Sequence, residues 1–159
     1  MQKKIICFGV REYEKPYFAD LGDKYGYELV LKPELLTNDN VEVAQGFEAI
    51  MLRANCNLNK SSLLKLKESG LKIVLTRTVG FAHVNVDDCK ELGLEYCYVP
   101  GYSPNAISEL TVTLGMMCVR NTVQMVNNAS RGDFVVHDEY FSREVRGMTV
   151  GILGCGRIG

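Results

Sequence analysis

A parallel β-sheet covered by helices on both faces is the architecture this sequence predicts, and three features predict it. Strand-like and helix-like segments alternate from the first residues to about residue 100, the order that builds βαβ units. The strand candidates, CFGV and VLT among them, are apolar runs with no polar alternation, as strands buried on both sides require. The helix candidates stop at Gly26, Gly46, Gly70 and Gly93, the residue type that ends helices most readily.

Taken in order, Lys3–Val10 is β-branched and apolar and reads as the first strand. Pro16–Tyr25 follows as a helix with Phe18 and Leu21 on one side. Tyr27–Leu31 is the second strand, Asn38–Gln45 a short helix and Ala49–Leu52 the third strand. Asn59–Ser69 is a helix that Asn59 can cap, with Leu63, Leu64 and Leu66 facing inward. Leu71–Thr76 is the fourth strand, Asp87–Leu92 a helix capped by Asn85, and Glu95–Val99 the fifth strand. Five such units make a flavodoxin-like, doubly wound α/β domain over residues 1–101.

The texture changes at Pro100-Gly-Tyr-Ser-Pro, which is a break. Ser103 then caps a helix with Pro104 in its first turn, where the missing N–H costs nothing. That helix is expected to run to about Asn128. From Leu110 to Val119 it is apolar on nearly every side. This suits a helix buried in a large core, or one wedged between domains or subunits. Gly115 in its middle costs about 1 kcal/mol relative to Ala and points to close packing there. Thr149–Leu153 is expected as a sixth strand.

Composition bounds the function. The chain has 159 residues, 47% hydrophobic and 23% charged, with 18 basic against 19 acidic side chains. That is one ordinary globular domain's worth, with a core that needs no staple. A net charge of −1 and the lack of a basic stripe argue against nucleic acid. The apolar runs are too short to span a bilayer, and Met1-Gln-Lys-Lys leads into a strand, not a signal peptide. None of the six cysteines forms a C-x-x-C pair. They read as reduced thiols filling core space in a cytoplasmic protein, with no metal site expected.

The chemistry begins where the sixth strand would end, at Gly154-Cys155-Gly156-Arg157-Ile158-Gly159. A G-x-G-x-x-G after a strand is the turn of a Rossmann NAD-binding domain. Gly154 makes the tight turn, Gly156 lets a pyrophosphate approach the backbone, and Gly159 allows close packing of the next helix. Gly154, Gly156, Arg157, Ile158 and Gly159 are the candidate cofactor residues. Residues 102–159 are accordingly expected to hold a long interface helix and the truncated start of that domain. The acidic residue that selects NAD over NADP would follow about twenty positions later. The chain is therefore expected to be a piece of a longer enzyme, and its coding sequence beyond Gly159 would decide this.

In an open parallel sheet, ligands bind beyond the carboxyl ends of the strands. Thr78-Val79-Gly80, after the fourth strand, could present successive N–H groups to a carboxylate, or be a plain turn. Tyr102 could wall a pocket and offer its hydroxyl, or be a buried interdomain tyrosine. Arg53 should emerge at the crevice mouth beside Asn55, where it could pair with a second substrate carboxylate, or be a surface arginine. Arg77 is expected to tie loops together. His83 lies close to the Val79–Gly80 turn, and His137 falls in a polar stretch.

Three stretches carry a resemblance. They are Val99-Pro100 with Tyr102-Ser-Pro-Asn-Ala-Ile-Ser-Glu-Leu, Thr76-Arg-Thr-Val-Gly with Val84-Asn85, and Glu144-Val-Arg-Gly-Met-Thr-Val-Gly leading into GCGRIG. In this order and spacing the chain resembles the first half of a D-isomer-specific 2-hydroxyacid dehydrogenase. Among these it is most similar to the (R)-2-hydroxyglutarate, D-lactate and 2-hydroxyisocaproate enzymes. The resemblance implies reversible, NADH-dependent reduction of a 2-oxo acid to the (R)-2-hydroxy acid; the apolar girdle of the long helix (Leu110, Leu114, Met117, Val119) points to an interface across domains and to a homodimer. The resemblance also implies that the N–H groups of Val79 and Gly80 hold the substrate carboxylate and that Tyr102 bonds the substrate. The family's Arg, Glu and His of catalysis match nothing here and would lie beyond Gly159, so no catalytic residue is assigned. Neither His83 nor His137 matches the proton donor. Arg53 makes 2-oxoglutarate the first substrate expected, with D-lactate or 2-hydroxyisocaproate chemistry also open.

The alternative is a non-catalytic fragment that serves only for binding or dimerisation. A phosphoacceptor receiver would end its third strand in Asp, but Arg53 stands there. A flavin binder would follow the first strand with a Ser/Thr-rich loop, but Val10 is followed by Arg-Glu-Tyr-Glu.

Overall fold

The computed structural model describes residues 3–159. The chain divides after Pro100 into two compact units. The first is a five-stranded sheet in the order β2-β1-β3-β4-β5, made of β1 (Lys3–Cys7), β2 (Tyr27–Leu31), β3 (Ala49–Leu52), β4 (Ile73–Thr76) and β5 (Glu95–Cys97). Every ladder is parallel, with Ile6 opposite both Val30 and Ile50, Ile50 opposite Val74, and Val74 opposite Tyr96. The helices between strands are α1 (Lys15–Tyr25), α2 (Lys60–Glu68) and α3 (Val86–Glu91). Because the chain steps one way from β1 to β2 and the other way from β3 to β5, right-handed crossovers put helices on both faces.

The core of this unit sits between sheet and helices. Ile6, Ile50, Leu52, Leu63, Leu66 and Val74 are at most 1% exposed. The caps read from the sequence are present. The Asn59 side chain accepts from Ser62 N at 2.9 Å, and that of Asn85 accepts from Asp87 N at 2.9 Å. Each satisfies an orphan donor of its helix.

Four expectations need correction. Leu64, expected to face inward, is 42% exposed, because of the three leucines only Leu63 and Leu66 lie on the side of α2 that meets the sheet. The segment 38–45 is only a 3-10 turn, Val41–Ala44, because its bonds run to the third residue back, Val43 N to Asn40 O and Gln45 N to Glu42 O, and Gln45 is already extended. The first and fifth strands end earlier than predicted and the fourth begins later, at Ile73, since ladder pairing covers only part of each apolar run. Of the cysteines, only Cys7, Cys56 and Cys89 fill core space, while Cys97, Cys118 and Cys155 are exposed. Burial pushes the Cys7 thiol up to about 12 and that of Cys89 to about 11, so both are protonated fillers.

The second unit contains α4 (Pro104–Val119) and α5 (Thr122–Ser130). The single long helix expected from Ser103 to Asn128 is thus two. Asn121 takes a left-handed conformation with φ 50° and breaks the helix, which Asn tolerates better than most residues. Its amide is anchored to Glu139 O at 2.8 Å. Ser103 is at the N-cap position, yet its side chain makes no capping bond. The expected sixth strand is absent: residues 149–153 pair with nothing, and Val150 and Ile152 are 76% and 66% exposed. A strand is defined by its neighbour, and no other strand exists in this unit. None of residues 101–159 is buried, so Leu110–Val119 is not the interior of a core formed by this unit, and Gly115 has open space beside it.

Candidate functional site

The strand order reverses between β1 and β3, and such switch points are where open α/β sheets bind ligands. Three loops of the first unit lie at this end. The loop after β1 begins with Phe8-Gly9, held to β3 by Phe8 N→Met51 O at 2.9 Å. Gly9 has φ +64°, and a Cβ there would stand 3.0 Å from Leu35 Cδ2 and 3.3 Å from both Cβ and Cδ of Arg53. Only glycine combines that backbone with that crowding.

Arg53 follows β3. Its stem packs on Gly9, its carbonyl accepts from Cys56 N at 2.9 Å, and the residue is half-buried. Among the described residues its guanidinium has no hydrogen-bond or ion-pair partner. The other arginine at this end, Arg77 after β4, is the opposite case. Its Nη1 donates to Glu14 Oε1 at 2.7 Å, and Nη2 donates to Phe8 O at 3.2 Å and Gly9 O at 3.0 Å. Its guanidinium carbon lies 5.3 Å from the Phe18 ring centroid, and only Nε is buried without a partner among the described residues. Glu14 also accepts from Arg11 N at 2.7 Å. Burial pushes the Glu14 carboxyl up, but the Arg11 N–H and the Arg77 charge together outweigh it and hold the group below its ordinary range.

The next three residues form the turn Thr78-Val79-Gly80. The Thr78 carbonyl accepts from Val99 N at 3.2 Å and the Thr78 hydroxyl donates to Gly80 O at 2.6 Å. The N–H groups of Thr78, Val79 and Gly80 donate to no group of the described residues. Gly80 does not have a positive φ, and a Cβ placed on it would meet nothing within 4 Å. Nothing inside this unit therefore requires a glycine at position 80. Phe81, next in the chain, packs against Tyr98 and Tyr96 at 5.4 and 6.4 Å between ring centroids. Gly9, Glu14, Phe81 and Tyr98 were not singled out by sequence reasoning; Gly9, directly after an apolar strand, carried the only usable signal.

His83 lies three residues beyond Gly80. Its Nε2 is buried with no hydrogen-bond partner among the described residues, and burial lowers its pKa. His137 belongs to the second unit, where it bonds Asp133 at 2.8 Å. Tyr102 is also in the second unit and is 72% exposed. In the glycine-rich turn, Gly154 has φ +96°, Gly156 has open space beside it, and a Cβ on Gly159 would run into the Gly154 carbonyl. The positive φ of Gly154 and the open approach at Gly156 suit a phosphate-binding turn, whereas the crowding at Gly159 is against the turn's own carbonyl.

Comparison with known proteins gives this geometry a family. Residues 5–151 match the D-isomer specific 2-hydroxyacid dehydrogenase, catalytic domain. The chain is 38% identical to a D-lactate dehydrogenase of Lactiplantibacillus pentosus, with 98% of this chain and 47% of that protein covered. It is 35% identical to the D-2-hydroxyacid dehydrogenase (NAD(+)) of Clostridioides difficile, over 98% of this chain and 48% of that one. In structure it resembles the apo form of D-lactate dehydrogenase from Escherichia coli, with a TM-score of 0.78 and 29% identity, covering 98% of this chain and 49% of that chain. The chain spans about half the length of the curated relatives it matches. It belongs to the D-isomer specific 2-hydroxyacid dehydrogenases, whose catalytic domain its residues 5–151 represent.

Proposed function

We propose that this chain supplies the substrate-binding part of an enzyme that reversibly reduces a 2-oxo acid to the (R)-2-hydroxy acid with NADH. The observation that carries the reading is the turn after β4. Its successive N–H groups are uncommitted, and its glycine answers to no internal need, in a chain of this family. The Val79 and Gly80 N–H groups bind the C1 carboxylate as a backbone nest, adding no counter-charge that would need its own desolvation. Tyr102 offers its hydroxyl to the substrate.

NAD, when bound, supplies or accepts the hydride. The backbone of Gly154, Gly156, Arg157, Ile158 and Gly159 would hold its pyrophosphate, a reading supported by the positive φ of Gly154 and the open approach at Gly156. Polarising the carbonyl and donating the proton are the work of the family's Arg, and of its His with a partner Glu, none of which has a counterpart among residues 1–159. Assembly as a homodimer through α4 completes the proposal, and sedimentation of the product of the complete reading frame at micromolar concentration tests it: a monomer would refute it.

The substrate proposed first is 2-oxoglutarate. Arg53 stands at the switch point with its charge unspent, and a desolvated Arg–carboxylate pair is worth about 2–5 kcal/mol on truncation. A monocarboxylic 2-oxo acid is the second reading, supported by the relatives named D-lactate dehydrogenase. A substrate series on the product of the complete reading frame, wild type and Arg53→Met, separates them. Loss of 2-oxoglutarate reduction with 2-oxoisocaproate retained supports the first. Equal loss on both, or a wild type that prefers the apolar acid, supports the second.

A further inference from the structure

The two arginines at the switch point divide a task between them. Arg77 has spent its charge: its Nη1 donates to Glu14 and its Nη2 to the carbonyls of Phe8 and Gly9. Its side chain is only 17% exposed and that of Glu14 24%, so the pair is sheltered enough to hold its geometry. Arg77 precedes the Thr78–Gly80 turn directly, and the Gly9 carbonyl it grips belongs to the residue on which the Arg53 stem rests. Glu14 continues the grip through Arg11 N. One guanidinium thereby connects the loops after β1 and β4 and, through Gly9, the first residue after β3.

We infer that Arg77 is a positioning residue: it sets the β1 and β4 loops, and the Arg53 stem between them, so that both substrate-binding elements are held at fixed separation without Arg77 itself touching substrate. This deepens, and rests on, the proposed reading of the Val79–Gly80 turn. A planar fork suits the role, since its two Nη groups reach a carboxylate and two carbonyls from separate atoms; an ammonium gathers its three donors on one nitrogen and does not span them in that geometry.

The test uses the product of the complete reading frame as wild type, Arg77→Met, Arg77→Lys, Glu14→Gln and the double variant Arg77→Met/Glu14→Gln. Misaligning a turn whose N–H groups hold a carboxylate forfeits a charge-assisted hydrogen bond, roughly ten- to hundredfold in binding. The KM for the 2-oxo acid is therefore expected to rise by about that factor in Arg77→Met. The kcat and the KM for NADH stay within about twofold, the signature of lost substrate binding. Arg77→Lys, which keeps a charge for Glu14, falls between, and serves as the readable variant if Arg77→Met does not fold. Glu14→Gln raises the same KM by less, and the double variant is no worse than Arg77→Met alone, because the two side chains act through one contact. Amide hydrogen exchange of residues 8–14 and 78–80 rises together in Arg77→Met. An unchanged KM overturns the inference, as does a double variant in which the two losses multiply. A raised KM with exchange unchanged also overturns it, since that is the mark of direct contact. A wild type inert toward every 2-oxo acid overturns the reading of the site instead; exchange then decides the coupling alone, joint loosening supporting it and independent behaviour of the two loops overturning it.

Discussion

In the first unit Leu63 and Leu66, on a short helix of low overall apolarity, are fully buried; in the second, Leu110, Val112 and Leu114, on a far more apolar helix, are 53%, 67% and 51% exposed. Hydrophobicity alone therefore does not decide which residues form a core. The first unit has five parallel strands whose ladders fix a surface for α2 to cover, and Leu63 and Leu66 meet it. The second has α4 and α5 but no sheet, and none of its apolar side chains is buried. So broad an exposed apolar surface marks an element made to be covered.

This comparison can be broken in several ways. The largest effect expected is on activity. The 159-residue chain by itself should oxidise no NADH with any 2-oxo acid, because the family's proton donor and carbonyl-polarising Arg match none of its residues. Turnover by the purified chain that Tyr102→Phe abolishes would show that the second unit contributes a working site after all. Next comes stability. Leu63→Ala should cost about 2–5 kcal/mol in urea unfolding of the chain, the usual loss for an emptied leucine site. Leu114→Ala should stay within about 0.5 kcal/mol, as exposed positions do. Comparable losses at the two sites would mean that the second unit has a core of its own.

A smaller effect concerns pH. The Glu14 carboxyl is held below its ordinary value of about 4.5 in the folded chain. Its contribution to stability is thus fully present above that value and is lost as pH falls through the lower, folded one. The stability of the wild type should drop on that acid limb more steeply than that of Glu14→Gln. Superimposable acid limbs in urea titrations would remove the Glu14–Arg77 pair from the account.

Much of the first unit could be read from the sequence because its determinants are local. Asn59 and Asn85 announce two caps, and the glycines at 26, 70 and 93 end their elements in left-handed conformations. The second unit was misread where the signal depends on something distant. Thr149–Leu153 has strand composition, but a ladder needs a second strand. The break at Asn121 depends on an anchor at Glu139, eighteen residues away. At the site, Arg53 and the Val79–Gly80 turn were legible because strand order puts them at one end of the sheet. Glu14 was not, since nothing in its local sequence separates a carboxylate that holds Arg77, sixty-three residues on, from any solvated acid.

The central claim is that the turn after β4 is shaped for a ligand's carboxylate and not for the fold, and Gly80→Ala tests it most directly. Its backbone has an ordinary φ and its Cβ direction is open, so the substitution should leave thermal stability within about 0.5 kcal/mol of wild type. In the product of the complete reading frame it should raise the KM for the 2-oxo acid by about tenfold or more, as the methyl intrudes where the carboxylate approaches the Val79 and Gly80 N–H groups. A variant that loses stability while keeping the wild-type KM would contradict the claim and return Gly80 to the status of a turn residue.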